Sequence, residues 1–293
     1  MLKLDGVVVL YNPDDSVLDN IQTYSSFLDF LYVVDNSERK NVWLIDKVMN
    51  CNNIVYIDNG INAGVAVALN IGAGRAISRG ATWLLTMDQD SKFDVGAIET
   101  LISFIKSLKD RHRFGMISPL HITTNMNSHL KSRRNYNLDN LNYNYIQVDT
   151  VMTSGNLIFL PVFEKIGGFL EKYFIDCVDH EYCLRLKMNK YAVVVVENSI
   201  LLHNLGSISS SRLFGHKFYY TNHSPVRRYY MTRNRFDLAF HYIFSSPKTI
   251  FLEMYKFLYE WLMIVLFEKN KVKKNFFILR GVIDFLRQRF GKL

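Results

Sequence analysis

Short apolar runs alternate with helix-like stretches along the first part of the chain. The runs are rich in Val, Ile and Leu, and apolar residues recur at helical spacing between them. Because strand–helix–strand units join parallel strands through right-handed crossovers, we expect an α/β fold with helices on both faces of a mostly parallel sheet. The predicted strands are 7–11, 31–35, 54–58, 83–87 and 115–118, and the predicted helices are 16–30, 38–49, 64–79 and 94–109.

The pattern changes in the second half of the chain. A polar stretch rich in Asn and Tyr, residues 121–147, predicts a surface excursion. Further elements are predicted at 148–160 (strand), 161–166 (short helix), 178–190 (helix) and 192–202 (strand). Residues 249–267 have helical spacing, but Glu253, Lys256 and Glu260 interrupt the apolar run, so we do not expect a membrane-spanning helix there.

Composition and charge narrow the class of protein. The 293 residues are 49% hydrophobic and 21% charged, which is typical of a globular chain. The net charge of +8 is uneven: residues 1–204 carry 19 basic and 22 acidic residues, whereas residues 205–293 carry 16 and 5. A basic last third on a near-neutral body favours partners that bear phosphate, such as a nucleotide, a phospholipid surface or a nucleic acid.

The cysteines and the first residues indicate the compartment. Cys51, Cys177 and Cys183 match no metal-ligand spacing and are too few for a disulfide framework, which favours a reduced, cytoplasmic environment. The opening MLKLDGVVVLYNPDD fits a first strand, because its apolar run is too short for a signal-peptide core or a membrane span.

Polar residues cluster where the predicted strands end. In parallel sheets ligands bind at the carboxyl ends of strands. Asp88 and Asp90 directly follow the apolar strand WLLTM, and two carboxylates at that spacing can converge on one divalent cation. An ordinary acidic turn is the alternative. Asp35-Asn36-Ser37 follows another strand and fits either contacts with a base or ribose, or a helix N-cap.

Small residues open the helix that follows the third predicted strand, in the stretch NAGVAVALNIG at 62–72. They permit either a phosphate at the helix N-terminus or tight packing of helix on sheet, and we favour packing for Ala66, Ala68 and Gly72. The glycine spacing is not that of a GxGxxG fingerprint, and no GxxxxGK[ST] sequence is present, so a P-loop is excluded.

Three acids, Asp176, Asp179 and Glu181, lie at the start of a predicted helix. They cannot all be caps, and a transfer to a hydroxyl needs one carboxylate as a base, but spacing alone does not choose among them. His203 follows an apolar strand and is either structural or a ligand. The basic aromatic segment 212–235, which includes Arg233, could clamp a diphosphate or form a solvated face.

Together these motifs resemble those of family 2 glycosyltransferases, specifically the bacterial rhamnosyltransferase branch. The matching segments, in order, are VVVLYNP, VVDNS, NAGVAVALNIG, LLTMDQDS, TSGNLIF, FIDCVDHEYCLR, LLHNLGS and RRYYMTRNRF. The resemblance implies a nucleotide-binding fold of the GT-A type and an inverting, single-displacement mechanism. We expect residues 1–243 to form this domain and residues 244–293 to form a basic, amphipathic helical extension.

The resemblance also implies roles for individual residues. Tyr11, Asn12, Asn62, Gly64 and Gln89 would lie near the nucleotide, Asp35 would contact the base, and Ser154 and Gly155 would line the donor sugar and acceptor. Asp88 and Asp90 would hold Mg²⁺ or Mn²⁺, with His203 as a further contact, and Arg233 would meet the diphosphate. Asp179 inherits the role of catalytic base. Val178 replaces the acid that usually precedes it, so Glu181 is a candidate for the second carboxylate.

The branch typically transfers rhamnose from dTDP-L-rhamnose to a lipid-linked or oligosaccharide acceptor of surface polysaccharide, such as O-antigen, capsule or cell wall. A UDP-sugar donor is the alternative. A nucleotidyltransferase would carry a Gly- and Arg/Lys-rich loop where Tyr11-Asn12-Pro13 stands. A nucleic-acid-binding module would suit the basic last third but would leave the ordered acids unexplained, so we expect no nucleic acid partner.

The basic amphipathic segment 249–293 leaves two alternatives open. It could lie on anionic lipid, which would place the enzyme at the inner face of the cytoplasmic membrane. Alternatively, it could pack on the body of the protein or in a homodimer interface.

Overall fold

The computed structural model describes residues 2–123, 144–203, 209–213 and 216–293. Most of the predicted surface excursion at 121–147, and the part of the LLHNLGS motif that follows His203, lie outside these residues. The surrounding strands are described on both sides.

Among the residues that the structure describes, a nine-stranded mixed sheet forms the centre of the molecule, as the alternating pattern predicts. Its strands are β1 (Leu4–Leu10), β2 (Phe30–Asp35), β3 (Ile54–Asp58), β4 (Trp83–Asp88), β5 (Ser91–Phe93), β6 (Phe114–Thr123), β7 (Tyr145–Gln147), β8 (Asn156–Phe159) and β9 (Ala192–His203). The order is β3-β2-β1-β4-β8-β6-β9-β5, and β7 also pairs with β9. The first four strands in that order are parallel, β8 is antiparallel to both neighbours, and β6 runs parallel to β9. A separate hairpin joins β10 (Ser209–Leu213) and β11 (His216–Tyr220).

The register brings the ends of the parallel strands to one edge. Leu10 of β1 pairs with Asp35 of β2, and Val9 pairs with Asp88 of β4. Strands β1 and β2 are almost wholly buried, because helices cover both faces of the sheet. The polar residues that follow these strands therefore share the edge where ligands bind in such sheets.

Nine helices flank the sheet or follow it in the described part of the chain. They are α1 (Val17–Gln22), α2 (Val42–Met49), α3 (Val65–Ser78), α4 (Ala97–Ser107), α5 (Leu160–Ile166), α6 (Val178–Met188), α7 (Pro225–Tyr242), α8 (Pro247–Leu266) and α9 (Lys271–Leu286). In α3 the small residues serve packing: Ala66 and Ala68 are buried, and a Cβ on Gly72 would lie 2.3 Å from Val7.

Two sequence predictions need correction. The helix expected at 16–30 ends at Gln22, and a 3₁₀ turn and the start of β2 occupy the remainder. The single strand expected at 148–160 is instead β8 alone, preceded by irregular chain, because Gly155 adopts a φ of +79° that breaks the extended run. Strand β5 was not predicted; only three residues long, it pairs antiparallel with β9.

The last three helices pack on one another around buried charge. Arg228 of α7 donates to Glu260 of α8 and to Glu268, each at 2.7 Å, and Lys274 of α9 donates to the other oxygen of Glu268 at 2.7 Å. Arg228, Glu268 and Lys274 are all buried. The sequence predicts that the GT-A domain ends at residue 243, which includes α7 in that domain. Arg228 nevertheless links α7 directly to Glu260 of α8 and, through Glu268, to Lys274 of α9.

No helix in the described residues has the length and apolar content needed to cross a membrane.

Candidate active site

Three side chains that the sequence singles out meet at the sheet edge. Asp88 ends β4, Asp90 follows two residues later, and His203 ends β9. Each offers one ligand atom, and these atoms lie within 4.8 Å of one another. The antiparallel pairing of β5 with β9 sets Ser91 opposite His203, and Ser91 Oγ is hydrogen-bonded to His203 Nδ1 at 2.7 Å. That bond orients the imidazole beside Asp90, whose Oδ1 lies 3.5 Å from Nδ1.

The electrostatics of this group favour a bound cation. Burial, followed by repulsion from Asp90 and Asp179, raises the pKa of Asp88 to about 7. Two carboxylates are therefore held together with little compensating positive charge. Carboxylate oxygens suit Mg²⁺ and Mn²⁺, so the residues present fit the divalent ion that the sequence resemblance implies.

The segment TSGN fixes the end of β4 from the neighbouring strand. The Asp88 backbone N–H donates to Ser154 Oγ at 3.0 Å, and Thr86 Oγ1 donates to the Thr153 carbonyl at 2.6 Å. Ser154 lines the cleft. Gly155 does not line the cleft. Its φ is positive, and a Cβ at this position would lie only 2.8 Å from the side chain of Pro119. Gly155 thus has a backbone role in presenting Ser154.

A cleft of about 460 Å³ extends from Asp88 and Asp90 to the start of α6. Residues from α7 and α8 close its other side. Its lining includes Val65, Asp88, Asp90, His121, Met152, Thr153, Ser154, Ile175, Asp176, Cys177, Val178, Asp179, His180, His203, Thr221, His223, Arg227, Met231, Arg235 and Glu253.

The loop that enters α6 is conformationally strained. Asp176 and Cys177 both have φ values of +64°, which are unfavourable for residues with a Cβ. The Asn234 side-chain amide holds this loop, because it donates to the carbonyl oxygens of Ile175 and Asp176 at 2.8 and 2.9 Å. Asn234 is fully buried. Sequence reasoning singled out its segment for basic and aromatic residues and for a family resemblance, but did not assign Asn234 this role.

The three acids of this segment have different partners. Asp176 pairs with Arg227 at 3.1 Å, and Glu181 pairs with Arg185 at 2.8 Å and accepts from Tyr242 at 2.7 Å. Glu181 is buried and lies outside the cleft lining, so the structure does not bring it to the other site residues. Asp179 lines the cleft and has no cationic partner among the ion pairs of the described residues.

The end of β1 is tied to the segment after β4. The Tyr11 N–H donates to Gln89 Oε1 at 2.8 Å, and Gln89 Nε2 donates back to the Tyr11 carbonyl at 3.2 Å. Asn12 has a φ of +47°, and its N–H donates to Ser37 Oγ. A shallow recess of about 500 Å³ lies beside Asn12, bordered by residues 38–41.

Asp35 is buried at the base of this region. Its carboxylate accepts from the Ser37 N–H at 2.8 Å and from the Tyr56 hydroxyl at 2.7 Å, and Lys40 Nζ lies 3.5 Å away. These bonds fix the turn after β2. Both of its carboxylate oxygens therefore already have protein partners.

Asn62 and Gly64 shape the approach to α3. The Gly64 N–H donates to Asn62 Oδ1 at 3.1 Å, and Gly64 has a φ of +93°. A Cβ on Gly64 would lie 2.6 Å from the Phe174 carbonyl oxygen, to which the Val65 N–H donates at 2.8 Å. The glycine therefore lets the start of α3 approach the segment that leads to Asp179.

Arg233 lies away from the cleft. It is buried beside Tyr229, Tyr230 and Phe290, and its guanidinium donates to the Gly291 carbonyl at 3.0 Å. The structure therefore does not bring it to Asp88, Asp90 and His203. Arg227, one and a half turns earlier on α7, lines the cleft instead.

Two further histidines line the cleft: His121, which sequence reasoning missed, and His223, which lies in the basic aromatic segment 212–235. His121 donates from Nε2 to the Ser154 carbonyl at 2.7 Å, and burial keeps its pKa below the usual value. His223 has its pKa lowered to about 4, first by burial and then by Arg227 and Arg228. Both rings are therefore neutral near pH 7. A single His in a polar segment gives no signal of this kind, since only the fold brings it to the site.

The chain matches known proteins in sequence and in fold. Residues 10–167 match the model of the family described as Glycosyl transferase family 2. The chain is 29% identical over 247 residues to the dTDP-rhamnosyl transferase RfbF of Shigella flexneri, a match that covers 80% of this chain and 78% of that protein.

Solved structures share the fold at low sequence identity. GalNAc-T7, crystallised with UDP, GalNAc and Mn²⁺, has a TM-score of 0.57 at 17% identity, covering 73% of this chain and 44% of that one. S. aureus TarS has a TM-score of 0.57 at 14% identity, with 98% of this chain and 49% of that one covered. TarS 1–349 in complex with UDP-GlcNAc has a TM-score of 0.56 at 14% identity, with coverages of 98% and 81%. This chain thus spans less than half of the first two structures.

The sheet order, the flanking helices and these neighbours confirm the GT-A-type fold expected from the sequence. The family model covers more than half of the chain. On that basis, the protein belongs to glycosyl transferase family 2.

Proposed function

We propose that the protein transfers L-rhamnose from dTDP-L-rhamnose to a glycan hydroxyl during synthesis of a surface polysaccharide, with inversion at the anomeric carbon. The single observation that carries the proposal is the cleft itself. Asp88, Asp90 and His203 converge at one end. Asp179, which has no cationic partner in the described ranges of the chain, lies close enough to raise the pKa of Asp88. The similarity to a dTDP-rhamnosyl transferase supports the choice of donor.

Asp88, Asp90 and His203 are the residues that would hold Mg²⁺ or Mn²⁺, and such an ion supplies positive charge against the departing diphosphate. Arg227 lines the same cleft and adds a cation on the α7 side. Asp179 accepts the proton from the acceptor hydroxyl. The acceptor oxygen then attacks the anomeric carbon from the face opposite the nucleotide, and this single displacement inverts the configuration.

Other residues position these groups. Ser154 and Ser91 orient Asp88 and His203, and Asn234 holds the loop before Asp179. The recess beside Asn12 lies at the end of β1 and accommodates the nucleoside end of the donor. Tyr11 and Gln89, which are hydrogen-bonded to each other, connect the end of β1 to the segment after β4. Glu181 and Arg233, by contrast, stabilise the fold through buried contacts.

A thermal-shift screen of thymidine and uridine diphosphates and their sugars, with and without Mn²⁺, tests the donor. A ligand at a hundredfold excess over its Kd adds about 2.7 kcal/mol to the free energy of unfolding. We expect a selective, Mn²⁺-dependent response to the thymidine compounds. An equal or larger response to uridine compounds would favour a UDP-sugar donor, the form of donor bound to one structural neighbour.

The reaction itself is tested by product analysis. Incubation with dTDP-β-L-rhamnose, Mn²⁺ and an oligosaccharide acceptor should yield an α-linked rhamnoside. The one-bond coupling constant between C1 and H1 of the rhamnose, measured by NMR, identifies the anomer. A β-linked product would contradict the inverting mechanism.

A further inference from the structure

Helix α8 has an apolar face toward solvent along nearly its whole length. Eight large apolar residues on one side of the helix are exposed: Phe251, Leu252, Tyr255, Leu258, Tyr259, Leu262, Val265 and Leu266. Phe251 is 73% exposed and Tyr255 is 62% exposed. Ile250, Glu253 and Ile264, on the opposite side, are buried against the protein. This is the reverse of the usual arrangement, in which the outer face of a helix is polar.

Helix α9 carries a matching stripe. Five exposed apolar residues recur on it at helical spacing: Val272, Phe276, Leu279, Ile283 and Leu286. The opposite side of the same helix packs on the protein through Ile278 and Gly281. Trp261 Nε1 donates to Asn275 Oδ1 at 2.9 Å, so the two helices are joined beside both stripes. We call these thirteen side chains the α8–α9 face. Exposed apolar residues scattered singly are ordinary, whereas a contiguous set of this size indicates an interaction surface.

The charges around the α8–α9 face have one sign. The four acids of residues 244–293 point inward: Glu253 and Glu268 are buried, Glu260 pairs with Arg228, and Asp284 accepts from Tyr229. The cations that flank the face are exposed: Lys248 in the first turn of α8, Lys269 between the helices, Lys271, Lys273 and Arg280 on α9, and Arg287 directly after it. The outer surface of this region is therefore apolar with a cationic rim.

We propose that the α8–α9 face binds anionic lipid bilayers, with its apolar side chains inserted at the interface and its cations on the headgroups. A 20-residue helix is about 30 Å long, so α8 would lie in the plane of the membrane. Tyr and Trp side chains favour the boundary between water and hydrocarbon. Each basic residue near the surface gains from the negative potential of anionic lipid.

A second copy of the chain fits this surface less well. A two-fold dimer would place the same patch against itself and would bring the cationic rims together without acids to meet them. The rim is instead complementary to phosphate. A shallow recess of about 630 Å³ lies at the start of α9. Its lining includes the basic side chains of Lys271 and Lys273 beside the apolar side chains of Val272 and Phe276.

The position of α8 connects this surface to the cleft. Glu253 lines the cleft from the buried side of the helix, opposite the exposed stripe. Binding through the stripe would place the cleft about one helix diameter, roughly 10 Å, from the headgroups. A lipid-linked acceptor could then reach Asp179, and this last step alone rests on the proposed function.

The test uses the full-length protein and extruded vesicles of phosphatidylcholine, with or without 30% phosphatidylglycerol. We expect cosedimentation with the anionic vesicles and at least tenfold weaker binding to the neutral ones. Phe251→Glu with Leu258→Glu should reduce the anionic binding at least tenfold, because it places charge in the inserted face. Val95→Glu with Met49→Glu is the matched control, since both residues are exposed apolar positions on other parts of the surface.

Circular dichroism and donor-induced thermal shift, measured on each variant, separate loss of lipid binding from loss of fold or of donor binding. Lys273→Glu with Arg287→Glu should also weaken the anionic binding and make the remaining binding less sensitive to salt, because fewer cations meet the headgroups. Equal binding by the intact protein to both kinds of vesicle, or none to either, overturns the proposal. A dimer interface at this face would also overturn the proposal. Sedimentation velocity would then show a dimer that Phe251→Glu with Leu258→Glu dissociates, while the binding to vesicles stays unchanged.

Discussion

The hydroxyl of Thr153 donates a hydrogen bond to Oδ2 of Asp179 at 3.2 Å. The His180 N–H donates to Oδ1 of the same carboxylate at 2.8 Å. Thr153 also belongs to the segment that fixes the backbone of Asp88, so one short stretch of chain positions both ends of the cleft. In the proposed mechanism, the base Asp179 and the metal-binding residue Asp88 are therefore positioned relative to each other before any substrate binds.

Replacing Asp179 with Asn should lower kcat by about 100-fold or more, because a general base contributes a factor of that order. Donor affinity should change little, since no carboxylate of the metal-binding pair is altered. Steady-state kinetics and donor thermal shifts measure the two effects. Asp19→Asn, at an exposed acid of α1, is the control. Unchanged turnover in Asp179→Asn would remove this residue from the proposed mechanism.

Replacing Ser91 with Ala should weaken Mn²⁺ binding by about tenfold, because residues that orient a metal-ligating histidine typically contribute 10–100-fold in affinity. Asp90→Asn should have a larger effect, since it removes a ligand. Isothermal titration calorimetry with Mn²⁺ measures both. Ser107→Ala, at a hydroxyl bonded within α4, serves as the control. Normal Mn²⁺ affinity in Asp90→Asn would contradict the metal site.

Mn²⁺ affinity should depend on pH near neutrality. The pKa of Asp88 is raised to about 7, so this carboxyl holds its proton below that pH and must release it to bind a cation. Affinity should be highest above pH 7 and should fall up to about tenfold for each pH unit below it. Titration calorimetry between pH 6 and pH 8 measures the slope. Asp88→Asn, which lacks the titrating carboxyl, should bind weakly and with a smaller dependence on pH.

Replacing Asn234 with Ala should lower kcat more than it changes the donor KM. The loop at Asp176 and Cys177 would lose both hydrogen bonds that hold its unfavourable φ angles, and the carbonyls would remain buried. The free energy of unfolding should fall by about 1–3 kcal/mol. Asn275→Ala, which removes exposed hydrogen bonds on α9, should change neither quantity much. A normal kcat in a destabilised Asn234→Ala protein would limit Asn234 to a structural role.

Arg227 and Arg233 should respond differently to substitution. Arg227→Ala should raise the donor KM, because its guanidinium lines the cleft. Arg233→Ala should instead lower the unfolding temperature and leave the donor KM of the folded protein nearly unchanged, since its partners are the aromatic rings and carbonyls of the protein interior. Kinetics together with thermal denaturation distinguish the two. A raised donor KM in a stable Arg233→Ala protein would restore Arg233 to the diphosphate.

The strand–helix alternation and the carboxylates after β4 could be predicted because both are local properties of the sequence. Apolar runs specify strands, and acids that directly follow a buried strand must lie at the sheet edge. By the same reasoning the parallel pairing of the first four strands follows from crossover connections, whereas their order in the sheet was not predicted.

The remaining parts of the site depend on contacts between distant segments. His203 reaches Asp90 only because the three-residue β5 pairs with β9, and so short a strand has no distinct periodicity. Glu181 and Asp179 are two residues apart and both carry a carboxyl group, but Arg185, one turn further along α6, holds Glu181 in the interior. The sequence resemblance placed Arg233 at the diphosphate. A cluster of arginines in a sequence does not reveal which of them lie on the side of the helix that faces the cleft.

The buried guanidinium of Arg228 has a consequence for any shortened form of the protein. Its two carboxylate partners, Glu260 and Glu268, both lie beyond residue 243. A protein cut at that point would lose both partners of Arg228 and would expose to water the side of α7 that α8 and α9 cover, on the same helix that carries Asn234. The last fifty residues are therefore a structural requirement for the catalytic domain, and a stable minimal enzyme must include them.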